Sequence, residues 1–87
     1  MEMVTALKRG RVDVIADLLE IAKLVSCRKT RLMYRGNLSH RQLKVYLNIL
    51  TGLNLLSMNS DKYLTTEKGC EYLMAYRRLQ MILRKEP

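Results

Sequence analysis

The 87-residue chain contains no Trp and no Phe, and its aromatics are five Tyr. Packing therefore falls to Leu, Ile, Val and Met. The single Pro is the last residue and there are only four Gly, so little in the interior breaks a helix. Two cysteines, Cys27 and Cys70, do not make a disulfide framework. Their wide separation and the lack of a nearby histidine argue against a metal site. Both read as buried or idle thiols of a reducing cytosol. His40 is the one histidine. There is no Cys/His pair, no pair of carboxylates in a plausible cleft and no glycine-rich phosphate loop. An enzyme is not expected, and neither a cofactor nor a small-molecule substrate is implied. No apolar run approaches the roughly 20 residues of a membrane helix. Met1 to Gly10 lack the apolar core of a signal peptide. The expectation is a cytoplasmic protein with no membrane partner.

What is present is hydrophobic enough, at 48%, to build one thin core. Lys and Arg number 16 against 8 Asp and Glu, a net charge of +8. For so small a chain the default partner is a polyanion or an anionic surface.

Residues 1–10 have weak periodicity and read as a flexible basic arm or a short edge strand. From Arg11 the pattern becomes helical. Val12, Ile15, Leu18, Leu19 and Ala22 share one face, and Asp13, Asp17 and Glu20 fall opposite. This first helix is predicted to reach about Leu24. Val25 to Arg28 look like a connection. A short helix follows over about Lys29–Arg35, with Leu32 and Met33 inward, and Gly36-Asn37 ends it. Ser39 with Gln42 three residues on is a capping-box pattern, with Leu38 as a staple against Leu43. The third helix is predicted from His40 to Thr51, with Leu43, Leu47 and Leu50 in the core and Gly52 as its stop. Two helices joined by a short Gly-Asn turn form a helix-turn-helix. Leu53 to Met58, the turn Asn59-Ser60-Asp61 and Lys62 to Thr65 read as a hairpin. Three helices followed by a hairpin is the order of a winged helix. The fold class is mainly α with a small β-hairpin, an α+β winged helix-turn-helix over residues 11–66. Residues 67–87 add a long C-terminal helix capped by Thr65 or Thr66. Tyr72, Tyr76, Leu79 and Leu83 are spaced as a short heptad seam. Two readings compete for it: folding back on its own domain, or pairing with the same helix of a second chain.

The distribution of charge says more than its sum. From Ile21 to Ser60 there is no Asp or Glu, while Lys23, Arg28, Lys29, Arg31, Arg35, Arg41 and Lys44 fall within it. A merely solvated surface mixes signs. On the third helix Ser39, His40, Arg41, Gln42, Lys44 and Asn48 lie outside the core stripe. Arg41 suits guanine, and Gln42 or Asn48 adenine. Gln42 has a rival role in the capping box, and His40 a rival role as a solvated helix-start residue. At the start of the second helix, Thr30 and the free N–H groups suit a phosphate, with Arg28, Lys29 and Arg31 adding charge. Thr30 also reads as an ordinary cap. Lys62, with Asn59 and Ser60, stands at a wing tip that either touches DNA or is just a hairpin.

The run Lys29-Thr30-Arg31-Leu32-Met33-Tyr34-Arg35-Gly36-Asn37-Leu38-Ser39, with Gln42-Leu43, Tyr46-Leu47 and Tyr63-Leu64-Thr65-Thr66-Glu67-Lys68-Gly69, resembles a family of small archaeal winged-helix DNA-binding proteins. Arg11 to Asp17 resemble the start of that family's first helix. The likeness spans about residues 11–76. It implies a winged helix whose long last helix forms an antiparallel coiled-coil dimer on double-stranded DNA. It departs from the family at Cys27 and Arg28, where small residues are common, and in the shortness of the last helix.

Three functions follow from different classes. The first is a dimeric transcription regulator, cytoplasmic and nucleoid-associated, with its third helix in the major groove. The second is an architectural chromatin protein with little sequence preference, separated from the first by the ratio of specific to non-specific affinity. The third is a protein-interaction module docking through the last helix, which would need a strongly acidic partner.

Overall fold

A computed structural model describes residues 10–84; the expected arm over 1–10 lies, apart from Gly10, outside them. The elements are α1 (Arg11–Ile21), β1 (Cys27–Arg28), α2 (Lys29–Gly36), α3 (His40–Gly52), β2 (Leu56–Asn59), β3 (Lys62–Thr65) and α4 (Glu67–Arg84). This is the expected order of helices and hairpin, with one strand added.

Helix α1 starts where Asp13 accepts a hydrogen bond from the Gly10 N–H at 3.2 Å. It ends a turn earlier than its apolar period suggests. The Thr65 hydroxyl donates to the Leu19 carbonyl at 2.6 Å, and the Thr65 N–H donates to the Ala22 carbonyl at 2.9 Å. Strand β3 thus satisfies carbonyls that another helical turn would have used. The same close approach allows β1. Cys27 pairs with Tyr63 and Arg28 with Lys62, so what reads as a connection is an edge strand. Strand β3 is central, with β2 on its other side in the register Leu56 with Thr65 to Asn59 with Lys62.

Asn37, not Gly36, takes the left-handed position that ends α2, at φ 55°. Gly36 serves packing instead: a Cβ there would sit 3.0 Å from Leu18 of α1. Helix α3 opens with the reciprocal capping box. The Gln42 N–H donates to Ser39 Oγ at 3.1 Å, and the Ser39 N–H donates to Gln42 Oε1 at 3.0 Å. At its other end Asn54, at φ 63°, makes the left-handed turn, and the Leu55 N–H returns to the Leu50 carbonyl at 2.8 Å. The strand therefore begins at Leu56 rather than Leu53. Thr66 caps α4, accepting from the Gly69 N–H at 3.0 Å. A side chain at Gly69 would collide with the Leu55 carbonyl oxygen, so glycine lets α4 pass close to the turn between α3 and β2.

Leu18, Leu19, Leu32, Leu43, Leu50, Leu56 and Leu73 are fully buried and join α1, α2, α3, the hairpin and α4 in one core. Val12, expected inside, is 52% exposed. The wheel is turned because Asp13 faces α4: the Tyr76 hydroxyl donates to its carboxylate, and the Tyr72 hydroxyl donates to the Val12 carbonyl at 2.9 Å.

Candidate nucleic-acid interface

Helix α3 buries Leu43, Leu47 and Leu50, which fixes its outer face by helical geometry. Ser39, His40, Arg41, Gln42, Lys44 and Asn48 are all exposed. His40, Lys44 and Asn48 follow one another at four-residue intervals. They line a groove of about 240 Å³ with Lys29, against Leu43, Leu47 and Tyr63. Lys29 opens α2, so the groove joins the start of one helix to the length of the other. Thr30 borders a cleft of about 140 Å³ with Lys29, Met33, His40 and Leu43. It also borders a larger cavity beside Arg28, Arg31 and Lys62. Thr30 thus stands on a ridge between two cationic hollows.

Not every expected residue is brought into this arrangement. Ser39 and Gln42 are bonded to each other in the cap, which leaves Gln42 with a prior claim on its amide oxygen. Arg41 is exposed on α3 but lines neither hollow. Arg28 lies 3.7 Å from Asp61 at the wing tip, an exposed and long ion pair worth little. Lys62 lies on β3 and also borders a hollow of about 360 Å³ with Ser26, Ser57, Asn59 and Ser60. Ser26 and Ser57 carry no signal in the sequence, because only the pairing of β1 and β2 with β3 brings them together.

Two acids of α1 are engaged by α4. Asp13 is bonded to Tyr76, and Glu20 to Arg77 at 2.9 Å, both between α1 and α4. The hydrogen bond to Asp13 pushes the Tyr76 hydroxyl up to about 12, with burial and the Asp13 and Asp17 charges adding to it. Burial raises the Tyr72 hydroxyl, helped by the Asp13 charge. Burial also raises the Cys27 thiol against the lowering pull of Arg31, so this cysteine is a core side chain rather than a nucleophile.

The four seam residues divide into two pairs. Tyr72 and Tyr76 lie against the chain's own α1. Leu79 is 46% exposed and Leu83 69% exposed, with Met81 and Ile82 bare beside them. The first half of α4 follows the fold-back reading, and the second half is uncovered.

The chain belongs to the winged helix-turn-helix family, whose profile matches residues 8–84. It is 31% identical over 80 residues to the uncharacterised protein MJ0287 of the archaeon Methanocaldococcus jannaschii, covering 92% of this chain and 82% of that protein. It also superposes, with a TM-score of 0.75 and 24% identity, on the crystal structure of Sso10a-2, a DNA-binding protein from Sulfolobus solfataricus, covering 87% of this chain and 83% of that one. The archaeal winged-helix likeness read over about residues 11–76 thus has its counterparts in two archaeal proteins.

Proposed function

We propose that this chain binds double-stranded DNA as a dimeric transcription regulator on the nucleoid, with α3 in the major groove. One observation carries the reading: the exposed face of α3 and the start of α2 form a continuous cationic groove inside a stretch of 40 residues without an acid. In this reading Lys29, Thr30, Arg31 and Arg28 hold backbone phosphates at the start of α2. His40, Arg41, Lys44 and Asn48 face the base edges, and Lys62 reaches the backbone from the wing. The Sulfolobus neighbour, described as a DNA-binding protein, adds support. The dimer is built through the uncovered end of α4, where Leu79, Ile82 and Leu83 of two chains meet and continue the surface of Tyr72 and Tyr76. It places two α3 helices about 34 Å apart, in successive major grooves.

A second reading has an observation of its own. Gln42 is engaged in the capping box and so leaves fewer side chains to read bases. That favours an architectural protein tolerant of sequence. Titration of a labelled random duplex of about 30 base pairs at several salt concentrations tests the common part. The expected result is a Kd of about 10⁻⁴–10⁻⁶ M near physiological salt, weakening steeply as salt rises. Binding that ignores salt, or no binding, overturns both readings. Selection from a random library then separates them, a regulator preferring its site by about a thousandfold or more. Sedimentation of the full chain tests the dimer, and a monomer at micromolar concentration overturns it.

A further inference from the structure

A second hollow lies off the α3 groove, at the corner where α1 ends, β1 begins and α2 starts. It holds about 640 Å³, within the range of roughly 300–1,000 Å³ that small-molecule sites occupy. One side is aliphatic. Leu24 is 86% exposed and Val25 72% exposed, and both line the hollow with Ile21. Neither is used by the core, although five residues suffice to pass from α1 to β1. The same hollow is lined by cations: Lys23, Arg28, Arg31 and Lys62. Among the described residues no carboxylate pairs with Arg31 or Lys62, and the one acid lining the hollow, Glu20, is bonded to Arg77.

Aliphatic side chains sharing a hollow with Arg31 and Lys62, which meet no carboxylate among the described residues, ask for a ligand with both characters. An inorganic anion would leave Leu24 and Val25 in water, and a neutral hydrocarbon would leave Arg31 and Lys62 uncompensated. We infer that this corner binds a small amphipathic anion, an aliphatic body on Leu24 and Val25 with a carboxylate head on Arg31 and Lys62, and that the bound ligand competes with DNA. The competition rests on the DNA-binding reading above, because Arg28, Arg31 and Lys62 would have to hold either the head group or phosphates. Binding of the anion itself does not.

The test uses the full chain and decanoate as the probe. Amide NMR shifts are followed without DNA, with decanol and acetate as the neutral and the headgroup-only controls. The expected result is shifts concentrated in residues 24–31 and at Lys62, with both controls about tenfold weaker. Shifts confined to residues 79–83, equal shifts from decanol, or no shifts overturn the site. So do contacts from residues 1–9 that fill the corner in the free protein. The double variant Leu24→Gln/Val25→Gln changes only exposed side chains; it should bind decanoate about tenfold more weakly and DNA as before. Unchanged decanoate binding overturns the aliphatic half of the site. With DNA present, decanoate at about ten times its own Kd and constant ionic strength should lower DNA affinity about tenfold. Undiminished DNA affinity at that occupancy overturns the competition. Failure to bind DNA at all overturns the functional reading and leaves the decanoate map standing.

Discussion

Helices α1 and α3 are nearly the same length and both are amphipathic, yet they use their polar faces in opposite ways. Helix α1 carries Asp13 and Glu20, and α4 answers them with Tyr76 and Arg77. Helix α3 carries Arg41 and Lys44, and no carboxylate pairs with either among the described residues. A polar face that finds partners inside the chain holds the architecture. One left without them is available to something outside. The fold thus separates its charges into a side that is consumed and a side that is offered.

The most severe way to break this contrast is to remove what both sides share. Leu32 is fully buried where α2 packs on α1 and α3. Leu32→Ala should cost about 2–5 kcal/mol of stability, read by denaturant unfolding, and take DNA binding with it. A well-folded Leu32→Ala chain would show that this core position is slack. Next, Arg41→Ala should cost about 1–3 kcal/mol in affinity for a selected site with little change in melting temperature. An equal loss on every sequence would make Arg41 a phosphate contact. Arg31→Ala should instead weaken all duplexes alike and flatten the salt slope by about one unit; an unaltered slope would remove Arg31 from the interface.

On the consumed side, Asp13→Asn should cost about 1 kcal/mol, because a charged acceptor of the Tyr76 hydroxyl becomes neutral. Its sharper readout is pH. Tyr76 titrates near 12 in the folded chain against an ordinary value of 10, so its contribution is complete below 10 and is lost as pH rises toward 12. Unfolding measured across that window should show stability falling with pH in the parent chain and falling less in Asp13→Asn. Identical slopes would sever Asp13 from the tyrosine. Smallest of all, Arg77→Ala should cost a few tenths of a kcal/mol by thermal melting, as expected of a half-exposed ion pair.

How legible the fold was in the sequence follows from the range of the interactions. The capping box of Ser39 and Gln42 spans three residues, and the outer face of α3 follows from Leu43, Leu47 and Leu50 alone. Local spacing is enough to read both. The end of α1 is different, because it is set by Thr65, more than 40 residues away. Strand β1 is hidden for the same reason: two residues carry no period, and their partners are Tyr63 and Lys62. Val12 and Asp13 exchange expected roles because the site of α4 docking decides which side of α1 is inside. On the candidate interface, the row His40, Lys44, Asn48 is helical arithmetic. The hollow that adds Ser26 and Ser57 exists only once three strands are paired.

The central position of β3 has a consequence for how the chain comes into being. Strands β1 and β2 both precede β3, so neither has its partner until Thr65 has left the ribosome. The carbonyls of Leu19 and Ala22 wait for the same residue. The helices and the β2–β3 hairpin can gather on local contacts, but β1 joins β3 only across a long separation, which is the slow part of such a fold. A nascent chain paused before Lys62 would therefore already display the cations of α3 on an unfinished domain, and the last third of the sequence decides when that display becomes a rigid surface.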